Sequence, residues 1–273
     1  DTIKPHVVVL GGYRTKFMKK TEKFFSRFNP NVPIIITNHQ TAEMIKYAHN
    51  TFLATKISFI NQIANICQGI PDTNIDDVAN AMGLDPRIGN LFLNAGPGYG
   101  GSCLPKDIKA IINLSSKLGV NPTLLTAVEK INKQQISHIV TLVKQNIGKI
   151  NGKKLTILGV AFKPGTDDIR NSVSIDLVKR LLKLGAKITI HDPKALENAR
   201  KIFHDNTKYV KSVPSALKDC QCAIIMTQWK DYEKINNKTI KQMAKKFIID
   251  TRRVLYNKNL DAKYYAIGLG QKI

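Results

Sequence analysis

The sequence predicts an α/β protein with three parts. These are the remnant of an N-terminal Rossmann domain, a central helical region with a long spine helix, and a C-terminal doubly wound Rossmann-like domain. Three observations carry this reading. Two short apolar runs, Val7–Leu10 and Ile34–Thr37, flank an amphipathic stretch rich in Lys and Phe, as in a single strand-helix-strand unit. Apolar residues then recur at helical spacing through the middle of the chain. From Lys153 onward, short β-branched runs alternate with helical stretches, the pattern of a parallel sheet.

Each of the first two strands is too short to build a sheet alone. The chain also opens on Asp1, directly before a strand, so residues 1–38 read as the last piece of an α/β domain that begins upstream. Thr37 and Gln40 have capping-box spacing, and Met44, Ile45, Ala48, Leu53, Ile60 and Ile63 carry a helix to about Cys67. A shorter helix starts at Asn74, with Asp76 and Asp77 in its first turn, and stops at Gly83. The loop Gly96-Pro-Gly-Tyr-Gly-Gly101 follows, and Pro105 stands where a first-turn proline belongs. That helix ends near Gly119. Asn121-Pro122 opens a long one to about Asn146, of the kind that forms a dimer seam or a spine between lobes. Residues 39–150 therefore form the central region, and residues 151–273 the last domain.

In that last domain, Leu155–Val160 and Lys187–His191 flank a helix from Ser172 to Leu184. Cys222–Thr227, Phe247–Asp250 and Tyr264–Ile267 add further strands. Ligands of such a sheet lie beyond the carboxyl ends of its strands. No Gly-x-Gly-x-x-Gly follows any strand. Leu158-Gly159-Val160-Ala161-Phe162-Lys163 begins like one and fails.

Composition narrows the function classes. No apolar run approaches the ~20 residues that span a bilayer, so no membrane association is expected. Cys67, Cys103, Cys220 and Cys222 fit neither a zinc pattern nor a disulfide scaffold, which favours a cytoplasmic setting. No metal is expected: His39, His49 and His138 lie without ligand-spaced partners and read as structural. The net charge of +22 is spread over helices and not interleaved with stacking aromatics. An anionic small substrate suits it better than nucleic acid.

The segment Gly100-Gly101-Ser102-Cys103-Leu104-Pro105-Lys106-Asp107 carries the chemistry. Cys103 falls just before a helix start, where the macrodipole and open amides favour a thiolate, and Lys106 adds positive charge. The glycines let backbone approach a ligand closely. Asp107 lies four residues on, suited to activating water after a covalent step. The competing reading of a lone cysteine is a small packed hydrophobe, and position alone leaves the two about equal.

Gly-Tyr-Gly-Gly-Ser-Cys-Leu-Pro-Lys-Asp resembles the signature of the UDP-glucose/GDP-mannose dehydrogenase family. The resemblance extends through Thr41–Asn50, Phe52–Asn61, Gly83–Gly89, Phe162–Asp168 and Asp250–Val254, nearly the whole chain in order. It implies oxidation of a sugar C6 alcohol to a carboxylate by two hydride transfers to NAD, through a thiohemiacetal and a thioester on Cys103. It assigns Lys46 and Asn50 to the developing oxyanion, and their i, i+4 spacing puts them on one helical face. A lysine is ordinarily a solvated surface charge; the apolar character of this helix, which leaves little exposed face, is the argument for a role. Asp107 takes the water-positioning role.

The resemblance also implies that Phe92, Leu93, Asn94 and Gly100 wrap the nucleotide sugar. Lys163 and Arg252 contact it from the second lobe, with Arg253 the alternative to Arg252. Arg87 reaches into a partner subunit's site, which implies a homodimer. Lys106 and Arg170 touch NAD from outside its main domain. The implied substrate is UDP-glucose, giving UDP-glucuronate. A member acting on GDP-mannose is the nearest alternative, since it shares Ser102–Asp107 but has a more aromatic loop before the glycines. Members acting on N-acetylated UDP sugars rank third, because they usually have His-Cys for Ser-Cys and lack Pro-Lys. A non-catalytic UDP-sugar-binding dimer module is the alternative outside enzymes. The family's glycine-rich NAD fingerprint and its further catalytic Thr and Glu are not in this chain, which should therefore bind NAD poorly and turn over little alone.

Overall fold

The computed structural model describes residues 5–13 and 15–271. Its architecture is mixed α/β, with two parallel sheets, a helical central region and a C-terminal Rossmann-like domain. The chain divides into two compact units, Asp1–Phe52 and Leu53–Ile273.

In the first unit, β1 (Val8–Gly11) and β2 (Ile34–Thr37) pair in parallel, with α1 (Thr15–Phe28) between them in sequence. The α2 helix (His39–Cys67) begins here. Its N-terminal turn is capped by Asn38, whose Oδ1 accepts from the Thr41 amide at 2.8 Å. Sequence spacing suggested Thr37 and Gln40 for this task. Asn38 is a stronger cap, and Gln40 instead accepts from the Tyr13 hydroxyl at 2.7 Å.

The argument from an apolar α2 with little exposed face does not hold. Met44, Phe52, Phe59 and Ile66 are all exposed, as is Lys46. Apolar composition and burial are separate quantities on a long helix, and spacing alone does not say which side is covered.

The second unit continues α2 and adds α3 (Ile75–Gly83), α4 (Leu104–Lys117) and α5 (Thr123–Ile147). Asn74 caps α3 through its side chain. The spine helix α5 packs on the sheet domain through its buried Ile139, Val140, Val143 and Ile147. His138, expected to lack partners, makes a 2.6 Å hydrogen bond with Gln68, the residue that follows α2.

The remaining elements are β3 (Lys154–Leu158), α6 (Val173–Lys183), β4 (Lys187–His191), α7 (Leu196–Phe203), β5 (Thr207–Tyr209), α8 (Val213–Leu217), β6 (Cys222–Ile225), α9 (Asn237–Ile240), β7 (Phe247–Asp250) and β8 (Lys263–Ala266). The strands form one parallel sheet in the order β5-β4-β3-β6-β7-β8. β5 escaped the sequence reading because Thr-Lys-Tyr is a three-residue edge strand without an apolar run. β6 and β7 are buried throughout and β3 from Leu155 onward, as expected of a parallel sheet with both faces covered. The strand order reverses between β3 and β6, so the ligand crevice of this topology lies past Leu158 and Ile225.

Candidate active site

Cys103 is exposed and occupies the N-cap of α4, with Pro105 in the first turn. Its sulfur lies 3.7 Å from the Ser102 hydroxyl. Cys67, Cys220 and Cys222 are buried, and burial pushes the Cys220 thiol up to about 11. Of the four thiols, only Cys103 is thus presented to solvent. Asp107 does not share that exposure. It is fully buried one turn in, its amide donates to the Cys103 carbonyl at 2.9 Å, and Lys106 Nζ lies 2.9 Å from its Oδ1.

The loop ahead of Cys103 is pinned residue by residue. Asn61 of α2 accepts the Gly96 amide at 2.7 Å. Asn132 of α5 clamps Tyr99 on both sides, accepting from its amide at 2.8 Å and donating to its carbonyl at 3.0 Å. A single side chain thereby imitates strand pairing. Tyr99 is buried, which pushes its hydroxyl pKa up, with the Glu129 carboxylate adding to the effect. The Gly101 amide donates to the Arg170 carbonyl at 3.1 Å, and Asn171 donates to the Gly101 carbonyl at 3.2 Å. Asn61, Asn132 and Asn171 were not singled out from the sequence. An asparagine in a helix interior is a poor helix former, and that was the available signal for the first two.

Two glycines owe their identity to this packing. A Cβ on Gly100 would sit 2.3 Å from the Asn171 carbonyl oxygen, and one on Gly101 (φ +84°) would sit 2.8 Å from the Phe162 ring. Gly100→Ala is expected to destabilise the fold by about 1–3 kcal/mol, because backbone and not a flexible side chain must yield. Gly69→Ala, where the new methyl meets only an ordinary 3.4 Å contact, serves as the control and should stay within about 0.5 kcal/mol. Urea denaturation midpoints of the two variants check the contrast.

Arg252 follows β7 and turns toward the same loop. Its Nε donates to the Met226 carbonyl at 3.1 Å, and its Nη1 would lie 3.0 Å from a Cβ on Gly96. Burial pushes its guanidinium down to about 10, against the pull of Asp250. Arg253 does something else. It binds Asp76 Oδ2 and Asn74 Oδ1, each at 2.6 Å, and the Ile267 carbonyl at 3.2 Å, with only 6% of its side chain exposed. Asp250 organises the turn between them, accepting from the Arg252 and Leu255 amides and the Tyr264 hydroxyl.

Lys163 is exposed, with its Nζ 5.4 Å from the centre of the Phe162 ring that covers Gly101. Arg170 is exposed and folds onto Asp168, Nη2 to Oδ2 at 2.7 Å. That pairing raises its pKa. Phe92 and Asn94 are exposed, while Leu93 is in the core, so only its backbone can face a ligand. Phe92 has φ +66°, a strained conformation for a bulky residue and one that clusters at functional sites. Arg87 is exposed and folds onto Asp85, Nη2 to Oδ2 at 2.6 Å, holding that carboxyl below its usual range. Lys56 bonds the neighbouring Ile88 and Gly89 carbonyls at 3.0 and 3.1 Å. Lys46 and Asn50 belong to the first unit, one turn apart on α2.

The failed glycine motif after β3 has a physical reason. Asp192 Oδ2 accepts from the Val160 and Ala161 amides at 2.7 and 3.0 Å and from the Trp229 indole at 3.2 Å. The amides that a dinucleotide phosphate would use are already taken by a buried carboxylate. Lys106 and Arg170 are exposed cations that suit the edge of a pyrophosphate, and no Gly-x-Gly-x-x-Gly follows a strand of this chain. Among the described residues no His, Cys, Asp and Glu group could hold a metal ion, and no helix is long and apolar enough to cross a membrane.

Comparison with known proteins agrees in both halves. Residues 40–134 match the central domain of the UDP-glucose/GDP-mannose dehydrogenase family, and residues 156–257 match that family's UDP binding domain. A UDP-glucose 6-dehydrogenase of Rickettsia conorii is 40% identical over 274 residues, covering 98% of this chain and 63% of the relative. The structure of a UDP-glucose dehydrogenase from Pyrobaculum islandicum superposes with a TM-score of 0.90 at 32% identity, over 98% of this chain and 60% of that one. A UDP-D-ManNAc dehydrogenase from Pyrococcus horikoshii superposes with a TM-score of 0.82 at 25% identity, over 96% and 60%. The chain spans about three fifths of the length of these relatives. It belongs to the UDP-glucose/GDP-mannose dehydrogenase family, of which it carries the central and UDP binding domains.

Proposed function

We propose that this chain is the substrate-binding and covalent-catalytic part of a UDP-glucose 6-dehydrogenase, with Cys103 as nucleophile. The observation that carries it is the exposed Cys103 at the N-cap of α4, directly after a glycine loop that also meets the Arg252 guanidinium. A nucleophile and a phosphate-binding cation at two points of one loop suit a nucleotide sugar lying along it.

The reaction needs a two-electron acceptor twice, and NAD supplies it when bound; Lys106 and Arg170 are assigned to its edge. The chain's own work lies between the two oxidations. The Cys103 sulfur adds to C6 of the aldehyde, forming a C–S bond while the carbonyl oxygen takes a proton. Lys46 and Asn50 take the oxyanion-supporting role that the resemblance of Thr41–Asn50 to the family implies. At the thioester stage Asp107 orients water toward C6; the C–S bond breaks, the acid leaves and the thiol is restored. Phe92, the Leu93 backbone, Asn94, Gly100, Lys163 and Arg252 hold the UDP-sugar. A homodimer with Arg87 crossing to the partner site, a cytoplasmic setting and the division at residues 38 and 150 complete the reading. Without a full NAD site, the chain alone should show little turnover.

The Rickettsia and Pyrobaculum relatives, both named for UDP-glucose, favour that sugar over GDP-mannose. Isothermal titration of this chain checks it. UDP-glucose should bind at least ~10-fold more tightly than GDP-mannose, about 1.4 kcal/mol. Equal or tighter binding of GDP-mannose sinks the assignment.

A further inference from the structure

Two loops interlock beside Cys103, and one side chain outside the catalytic set joins them. The first loop, residues 96–103, ends on the nucleophile. The second, residues 162–171, leads from β3 into α6. It carries Lys163, assigned to the nucleotide sugar, and Arg170, assigned to the edge of NAD. This second loop is closed on itself, because the Phe162 amide donates to the Asp168 carbonyl at 3.0 Å and Arg170 folds onto Asp168. Asn198 of α7 holds it from another side, its Nδ2 donating to the Asp167 carbonyl at 3.0 Å. None of these contacts involves the Cys103 loop.

Asn171 fixes one loop against the other. Its Nδ2 donates to the Gly101 carbonyl at 3.2 Å, and the adjacent Arg170 carbonyl accepts from the Gly101 amide at 3.1 Å. Both backbone polar groups of Gly101, two residues before the nucleophile, are therefore held by consecutive residues of the second loop. The residue type at 171 answers two demands. Its backbone is left-handed, with φ +49°, where asparagine is among the few side chains tolerated. Glycine meets that demand but has no amide to reach Gly101, and aspartate tolerates the turn but has no N–H to donate. Asn171 is exposed, so core packing does not account for it.

We propose that Asn171 is a positioning residue for the reaction. It latches the loop bearing Lys163 and Arg170 to the loop bearing Cys103, so that sulfur, nucleotide sugar and NAD edge share one frame. The inference rests on the assignment of Cys103 as nucleophile and deepens it. Asn171 touches no reacting atom. Its hydrogen bond keeps the sulfur in register with a sugar held through Lys163 and Arg252, and a misplacement of ~1 Å can cost a reaction about 10²-fold.

Alkylation of Cys103 by iodoacetamide tests it, with and without UDP-glucose at ten times each variant's own dissociation constant. In the parent chain the bound sugar covers the sulfur, and labelling slows ~10-fold. Asn171→Gly keeps the left-handed turn and removes the amide. It should bind UDP-glucose within about threefold of the parent by calorimetry, yet slow labelling by no more than ~3-fold. Asn171→Asp, of the same shape, should lose protection likewise; each comparison is a ratio within one variant, so the added charge cancels. Asn198→Ala releases the same loop from α7 but leaves the latch, and should keep the ~10-fold protection. Full protection in both Asn171 variants would overturn the proposal. So would an equal loss in Asn198→Ala, since loosening of the loop and not the latch would then expose the sulfur. A dissociation constant raised ~10-fold in Asn171→Gly would make Asn171 a binding residue and would also overturn it. No protection in the parent chain would refute the assignment of Cys103 itself, and the latch with it.

Discussion

Cys103→Ala should cut steady-state oxidation of UDP-glucose by roughly 10³-fold or more when the chain is supplied with an NAD-binding domain, while UDP-glucose affinity stays within about threefold. The asymmetry follows from position. Cys103 sits at a solvent-facing N-cap with no side-chain capping bond of its own, so removing its sulfur leaves neither a core cavity nor an unsatisfied cap. The loop in front of it is held by Asn61, Asn132 and Asn171, none of which uses the sulfur. Binding should survive and covalent chemistry should not. Stopped-flow measurement of NADH formation, paired with calorimetric titration of UDP-glucose, separates the two. A variant that kept more than a tenth of the parent rate would remove Cys103 from the mechanism.

The second large effect concerns two adjacent arginines. Arg252→Ala should raise the dissociation constant for UDP-glucose by about 10²-fold, near 3 kcal/mol, with little change in the unfolding midpoint. Its guanidinium is buried against Met226 and the Gly96 edge of the loop, where a diphosphate would offset the burial that now pushes its pKa down to about 10. Arg252→Lys should recover only part of the loss, because a lysine cannot present the planar fork. Arg253→Ala should do the reverse. It would strand Asp76, Asn74 and the Ile267 carbonyl, so destabilisation of about 2–4 kcal/mol with smaller direct effects on affinity is expected. Urea denaturation and ligand titration of the two variants, measured side by side, would show the crossing pattern. Parallel losses would contradict it.

These neighbours show where sequence reasoning stops. The motif Asp250-Thr-Arg-Arg pointed to an arginine after a strand, but a one-residue offset decides between binding a ligand and stapling a loop. That choice depends on which way each side chain leaves the turn around Asp250. The central helices and most strands of the sheet were legible because each carries a periodic run of apolar residues. β5 was not, because three residues at a sheet edge have no period to detect. Cys103 and its glycine loop were legible as a motif, whereas the asparagines that hold the loop come from α2, α5 and the segment before α6. Beyond an asparagine standing inside a helix, long-range pairings of that kind leave no local trace of their partner. The case of Lys46 is instructive in the other direction. It was assigned a role partly because its helix looked too apolar to expose a lysine, yet that helix exposes Met44, Phe52 and Phe59 as well. The family match, and not that argument, supports its place in the reading. Asp192 gives the failed glycine motif a cause that no inspection of residues 158–163 alone could supply.

The most direct test of the account is protection of Cys103 from alkylation. Native chain treated with iodoacetamide should label rapidly at Cys103 and slowly at the buried Cys67, Cys220 and Cys222. At ten times its dissociation constant, UDP-glucose leaves about a tenth of sites open, so labelling of Cys103 should slow ~10-fold. UDP, which fills the nucleotide part of the site and leaves the sugar part open, should protect less. A Cys103 labelling rate unchanged by saturating UDP-glucose would place the sugar away from this sulfur and contradict the assignment.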